Sequence, residues 1–98
     1  MGGINIKKQI VVYLNKPLLR KIENARGKLS RAQFLEHYIE EHVDEPVAIK
    51  KFSGPKLTVS ISLKPEIYEK IEIKRGLTNR TVFLESLLDE IKIETKSS

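Results

Sequence analysis

The chain has 98 residues, of which 40% are hydrophobic, and its 18 basic residues exceed 13 acidic ones for a net charge of +5. This length and composition predict one compact domain over residues 1–98, and the absence of cysteine excludes disulfide scaffolds and thiolate metal sites. Positive charge favours polyanionic partners, although many small basic proteins bind none. No apolar run approaches the roughly 18 residues of a membrane span, and no secretory signal follows Met1. We therefore expect a cytoplasmic protein with no membrane partner.

The first segment, residues 7–44, begins with a predicted strand over 9–14. Side chains on a strand alternate between its two faces, and here the apolar residues recur at every second position. The inward face is predicted to hold Ile10, Val12 and Leu14, and the outward face Gln9, Val11 and Tyr13. Residues 1–6, which precede this segment, are expected to be a loose end.

Two predicted helices follow this strand. Pro17 suits the first turn of a helix, where its missing N–H has no partner, and Arg26-Gly27 suits the end, where a cation and a left-handed residue are favoured. Ser30 to Gln33 fits a capping box at the start of the second helix. The inward stripes are predicted to be Leu18, Ile22 and Ala25 on the first helix and Leu35, Tyr38, Ile39 and Val43 on the second.

Residues 45–56 are predicted to be a linker, because this stretch contains Pro46, Gly54 and Pro55. Its length allows the second segment to return beside the first. Lys50 and Lys51 within it could approach a polyanion, but a solvated loop explains them equally well.

The second segment, residues 57–93, repeats the same order. Residues 57–63 alternate strictly, which predicts a strand with Leu57, Val59, Ile61 and Leu63 inward and Thr58, Ser60 and Ser62 outward. Pro65 begins the next helix and Arg75-Gly76 ends it. Asn79 or Thr78 caps the last helix. The inward stripes are Ile67 and Ile71, then Leu84, Leu87, Leu88 and Ile91, and residues 95–98 are expected to be a loose end.

The two segments are copies of one pattern. Leu14 and Leu63 lie 49 positions apart (63 − 14), and this offset superposes residues 9–43 on 58–92 without a gap and with eleven identities, among them Arg26/Arg75, Gly27/Gly76 and Arg31/Arg80. A unit of about 35 residues is too small to bury its own core, so the two are expected to complete each other. The predicted fold is mainly α with a two-stranded antiparallel β-ribbon, built from tandem repeats that form an intrachain pseudo-dimer.

The chain resembles the ribbon-helix-helix family of DNA-binding regulators, to which Arc and MetJ belong. The likeness is carried by Leu57 to Pro65, Arg75 to Arg80 and Phe83-Leu84, and in the first segment by Gln9 to Leu14, Pro17, Arg26-Gly27, Ser30-Arg31 and Phe34-Leu35. Ordinary members are homodimers of one unit, whereas this chain carries both halves. Such tandem forms occur mainly among archaeal viral and plasmid regulators, which implies a prokaryotic or virus-infected host cell.

The resemblance implies which side chains bind an operator or promoter in double-stranded DNA. Outward strand residues would contact base edges, namely Gln9, Val11, Tyr13, Thr58, Ser60 and Ser62. Phosphates would be contacted from the strand flanks and from the N-termini of the second helices by Lys7, Lys8, Ser30, Arg31, Lys56, Thr78, Asn79 and Arg80. The alternative interpretation of these residues is a solvated strand face and ordinary helix capping.

The expected function is therefore sequence-specific transcription regulation, by a ribbon inserted into the major groove. Because the two outward faces differ in sequence, we expect an imperfectly palindromic site, and tight binding through self-association or a cooperative array on DNA. Alternatives are a plasmid-partition protein that binds a centromere and an antitoxin-like protein-interaction module.

His37 and His42 lie five apart on a helix and share no common face, and no catalytic motif is present, so we expect no metal, no cofactor and no enzyme activity.

Overall fold

The computed structural model describes residues 6–91, which form a small mixed α/β structure with one two-stranded antiparallel sheet and four helices. The elements follow the chain in the order β1 (Lys8–Asn15), α1 (Lys16–Ala25), α2 (Arg31–His42), β2 (Lys56–Leu63), α3 (Pro65–Arg75) and α4 (Arg80–Leu88). Each predicted strand and helix is present, but Val43 and Ile91, predicted to lie on the second helix of each segment, follow the ends of α2 and α4. Lys56, predicted to end the linker, is instead the first residue of β2. The predicted loose ends lie outside the described residues, apart from the exposed Ile6, as does the predicted end of the second segment at residue 93.

The two strands pair along their whole length, from Lys8 opposite Leu63 to Asn15 opposite Lys56. Alternation places one face of this ribbon on the helices, and the apolar residues predicted to face inward are buried with two exceptions. Val59 is half-buried, and Leu57 is 40% exposed. The prediction for Leu57 was wrong because this side chain borders a surface groove beside Leu19 and Pro55, whereas Leu14 opposite it is buried.

Local chemistry sets the helix boundaries as predicted. Pro17 lies in the first turn of α1 and Pro65 begins α3. Gly27 and Gly76 follow these helices with φ of 58° and 53°, a region that side chains with a Cβ rarely occupy. Asn15 caps α1 by accepting a 3.0 Å hydrogen bond from the backbone N–H of Leu18.

The second helix of each segment begins at a side-chain cap. Ser30 and Gln33 form a complete capping box at α2, which confirms that prediction. At α4 the cap is Asn79, whose side chain accepts from the backbone N–H of Thr81 at 2.7 Å. Thr78, the alternative, lies one residue before the cap, and its N–H donates to the carbonyl of Arg75 at 2.7 Å.

The core lies between the inner face of the ribbon and the four helices. It contains the predicted inward residues Leu18, Ile22, Leu35, Ile39, Val43, Ile67, Ile71, Leu84, Leu87, Leu88 and Ile91. Ala25 was predicted to join them but is exposed, because it is the last residue of α1 and lies beyond the part of that helix that packs on the ribbon. Tyr38 is half-buried and packs at the edge of the core.

The segment between α2 and β2, residues 44–55, is held against the rest of the structure. The backbone N–H of Lys50 donates to the hydroxyl of Ser86, which is fully buried, at 2.8 Å, and the side chains of Val47 and Phe52 pack on the core. This linker therefore has fixed contacts as well as enough length to join the two segments. Among residues 6–91, no helix is both long and apolar enough to cross a membrane.

Candidate nucleic-acid interface

The outer face of the ribbon presents six side chains in three cross-strand pairs. The strand register places Gln9 opposite Ser62, Val11 opposite Ser60 and Tyr13 opposite Thr58. Five of the six are exposed, with Val11 and Tyr13 at 42% and 38%. Ser62 is half-buried, and its backbone N–H donates to Oε2 of Glu36 on α2 at 2.8 Å. The structure thus brings together all six residues that sequence reasoning predicted to share one face.

The chemistry of this face suits the edges of stacked base pairs. A Gln side chain both donates and accepts, hydroxyls do either, and the methyl groups of Val11 and Thr58 can pack on a thymine methyl. Strands in a sheet lie about 4.8 Å apart, so a two-stranded ribbon fits a major groove about 12 Å wide.

Lysines flank both ends of the ribbon, but their surroundings differ. Lys7 and Lys8 are exposed at the start of β1. At the start of β2, the ammonium of Lys56 lies 2.7 Å from Oε2 of Glu85, a fully buried carboxylate on α4. No described residue gives that carboxylate a hydrogen bond of regular geometry, so Lys56 is its compensating charge.

Ser30 and Arg31 lie where α2 begins, as predicted. The Ser30 side chain is occupied by the capping box. The guanidinium of Arg31 donates to Oε2 of Glu23 on α1, and Arg26 donates to the other oxygen of the same carboxylate at 2.9 Å. One glutamate therefore connects the end of α1 to the start of α2.

The same arrangement occurs where α4 begins. Arg80 donates to Oε2 of Glu72 at 2.8 Å, and Arg75 donates to Oε1 at 2.6 Å. Arg80 also donates to the Tyr68 hydroxyl at 2.8 Å and lies 5.2 Å from the centre of that ring. The ammonium of Lys8 lies 5.8 Å from the same ring. Tyr68 thus brings together two of the predicted phosphate contacts, one from β1 and one from α4.

These clusters keep a net positive charge because each holds two arginines and one carboxylate. Hydrogen bonds from Arg31 and then Arg26 lower the pKa of Glu23, and those from Arg75 and then Arg80 lower the pKa of Glu72. Both glutamates therefore remain ionised at neutral pH. The helix N-terminus beside each cluster adds the positive end of a helix dipole, which favours an anion.

Sequence reasoning missed Glu23, Glu72, Tyr68 and Glu85. Glu23 and Glu72 were detectable, since they are identical at the 49-residue offset together with both of their arginine partners. The sequence offered no comparable signal for Tyr68, whose counterpart is Leu19.

Comparisons with known protein families, curated proteins and solved structures found no match. Within residues 6–91, no three or more His, Cys, Asp or Glu side chains are grouped so as to hold a metal ion.

Proposed function

We propose that the two segments are related by an approximate twofold axis, so that one chain has the arrangement of a dimer. The ribbon register supports this proposal. Val11 pairs with Ser60, and these residues are also counterparts at the 49-residue offset. A twofold axis through this pair would exchange the strands and preserve every other pairing in the register.

Side-chain contacts give independent support for this symmetry. The bonds that join Arg26 and Arg31 to Glu23 recur between Arg75, Arg80 and Glu72, each shifted by the same offset. Arg26 also donates to the carbonyl of Leu29, and Arg75 to that of Thr78, its counterpart. Arginine side chains are long and flexible, yet they make the same contacts in both segments. This agreement favours the interpretation that the segments are two copies of one unit.

The function we propose is sequence-specific binding of double-stranded DNA, as a transcriptional regulator that inserts the ribbon into the major groove. The observation that carries this proposal is the exposed outer face of the ribbon, with its three cross-strand pairs of hydrogen-bonding and methyl-bearing side chains. Base pairs present donors, acceptors and the thymine methyl group in the major groove, and side chains of these types can contact them. The ribbon-helix-helix resemblance implies the same surface.

Positioning on the duplex would come from the basic residues around the ribbon. Lys7 and Lys8, with Arg80 held beside Lys8 by Tyr68, form the more basic flank. The counterparts of Lys8 and Tyr68 on the other flank are Leu57 and Leu19, which border an apolar groove. Phosphate binding is therefore expected to be stronger on the flank that contains Lys8, while base contacts decide sequence.

Selection of bound duplexes from a random-sequence library, at near-physiological salt, tests this proposal. We expect a short enriched motif, and we expect the double variant Thr58→Ala/Ser60→Ala to lose that motif while keeping its fold. Ser53→Ala, which removes an exposed hydroxyl outside both strands and keeps the carbonyl that accepts from Asn15, is the matched control. Recovery of random sequence with affinity that vanishes as salt rises would overturn the proposal, because it would leave only charge-driven binding. A motif that recurs as a tandem array in a plasmid would instead favour the centromere-binding function.

A further inference from the structure

The linker fills a groove along α4. The Lys50 N–H donates to Oγ of Ser86 at 2.8 Å, and the Ser86 hydroxyl donates back to the Lys50 carbonyl at 3.2 Å. The Lys50 ammonium bonds Oδ2 of Asp89 at 2.7 Å, and Phe52, two residues later, packs on the core. Every residue from Phe83 to Leu88 is buried.

Among residues 6–91, no segment covers the corresponding groove along α2, which we call the open groove. The 49-residue offset relates Ser86 to His37 and Asp89 to Glu40, and both counterparts are exposed. They line a surface groove together with Lys7, Glu36, Leu63 and Ile67. On α2, only Leu35 and Ile39 are buried, in contrast to the six consecutive buried residues of α4. Among residues 6–91, the linker covers the groove along α4, and no second segment covers the groove along α2.

We propose that the open groove on α2 binds an extended peptide segment of a partner protein, which carries a lysine or arginine and an aromatic residue two positions later. This inference rests on the pseudo-twofold arrangement proposed above. The proposed peptide is based on Lys50 and Phe52, the linker residues that bind in the groove along α4.

The charges in the open groove fit this peptide. In the filled groove, Oδ1 of Asp89 pairs with Lys21 at 2.9 Å while Oδ2 receives Lys50. In the open groove, Oε2 of Glu40 pairs with Lys64 at 3.0 Å. Lys70, the counterpart of Lys21, pairs with Asp44 instead. No ion pair to Oε1 of Glu40 occurs among residues 6–91, so this oxygen is free to receive the cation of the peptide.

The polar and apolar walls fit as well. Ser86 both accepts from and donates to the peptide backbone of Lys50, and a neutral histidine ring at position 37 likewise offers one acceptor and one donor. Leu63 and Ile67 give the groove an apolar wall for an aromatic side chain. Ser62, a predicted base contact, also lines this groove, so an occupied groove lies next to the DNA-binding face.

The test is a titration of the full chain, without DNA, with a synthetic peptide that has the sequence of residues 47–55. Backbone amide NMR shifts are expected to saturate and to centre on Glu36, His37 and Glu40. Glu40→Gln should weaken binding about three- to fivefold, the range of an exposed ion pair, and alanine in place of either the Lys50 or the Phe52 residue of the peptide should weaken it too. Glu69→Gln, an exposed carboxylate on α3 outside the groove, should leave the affinity unchanged.

Three results would overturn the inference. The first is the absence of saturable shifts, and the second is shifts centred on Ser86 and Asp89, which would mean that the peptide merely displaces the linker. The third is binding that appears only after residues 1–5 are removed or the chain is diluted, since the groove would then belong to this chain or to a second copy. The titration contains no DNA, so a negative result in it does not change the outcome of the duplex selection. A negative result in the duplex selection likewise does not change the outcome of the titration.

Discussion

At the scale of single residues, Glu85 and Lys56 form the ion pair with the largest expected effect on stability. Glu85 is fully buried, and the side chain of Lys56 is 24% exposed, so the pair lies at the boundary between the core and solvent. Removing one partner of such a pair leaves the other charge buried and uncompensated, which is destabilising. Replacing both partners by apolar side chains leaves no buried charge.

We therefore expect Lys56→Met to lower the free energy of unfolding by about 3 kcal/mol. The double variant Lys56→Met/Glu85→Met should recover most of this loss, as measured by urea denaturation. Lys51→Met, a substitution of the same type at an exposed linker position, should change stability by less than about 0.5 kcal/mol. A double variant no more stable than Lys56→Met alone would contradict this account of the pair.

Lys8 is expected to act through phosphates, since it is exposed and the Tyr68 ring places it beside Arg80. Each phosphate contact releases counterions, so Lys8→Ala should reduce the slope of log K against log salt by about 0.9. The loss of affinity should be similar for operator and random duplexes, as determined by fluorescence anisotropy at several salt concentrations. A slope that is unchanged, as expected for the control Lys74→Ala at an exposed position of α3, would mean that Lys8 does not contact phosphate.

At the scale of elements, each glutamate shared by two arginines connects the first helix of a segment to the second. Glu23 and Glu72 have pKa values lowered by these hydrogen bonds. A carboxyl whose pKa is lower in the folded than in the unfolded state stabilises the fold above its unfolded pKa, about 4.3 for Glu. That contribution disappears as pH falls through the lower, folded value.

The expected consequence is a pH-dependent difference between the wild type and Glu23→Gln/Glu72→Gln. At pH 7 the wild type should have the higher Tm, and the difference should shrink steadily below about pH 4, where the carboxylates become protonated. Differential scanning calorimetry between pH 3 and 7 measures this difference. Glu69→Gln, which lacks an ion-pair partner among the described residues, should show none at either pH. If the difference in Tm between the wild type and the double variant stayed constant from pH 3 to 7, the negative charge of these glutamates would not be what stabilises the fold.

The elements were predictable because their signals are local. Alternation fixed the strands, and Pro17, Gly27, Ser30 and Asn79 marked helix ends through conformations and caps that depend on a few neighbouring residues. The exposure of Leu57 was not predictable, because an alternating pattern cannot show where the helices stop covering the ribbon.

The candidate site was predictable only in part for the same reason. The six outward residues followed from strand period alone, and the structure places them on one face. The 49-residue repeat marked Glu23 and Glu72 together with their arginines, but the contacts between them depend on how the helices meet. No repeat marked the pair of Lys56 with Glu85, so that pair could not be read from spacing. That the outward residues contact bases stays a prediction.

At the scale of the whole molecule, the proposed pseudo-twofold arrangement would relate two segments whose surfaces differ. Covalent linkage allows the two halves to diverge in sequence, which the subunits of a homodimer cannot do. Divergence is visible on the outer face of the ribbon, where Gln9, Val11 and Tyr13 correspond to Thr58, Ser60 and Ser62, and on the flanks, where Lys8 corresponds to Leu57. A molecule of this kind should recognise two different half-sites.

This asymmetry can be removed by design. In the triple variant Gln9→Thr/Val11→Ser/Tyr13→Ser, both strands present the same outward residues, so the motif selected from a random library should become a palindrome. The reciprocal variant Thr58→Gln/Ser60→Val/Ser62→Tyr should select a second, different palindrome, while the wild type selects one half of each. All changes lie on the outer face, so circular dichroism should show an unaltered fold. If the triple variant still selected the wild-type motif, the outward residues of β1 would not read the sequence, because Gln9, Val11 and Tyr13 are the only groups altered between the two selections.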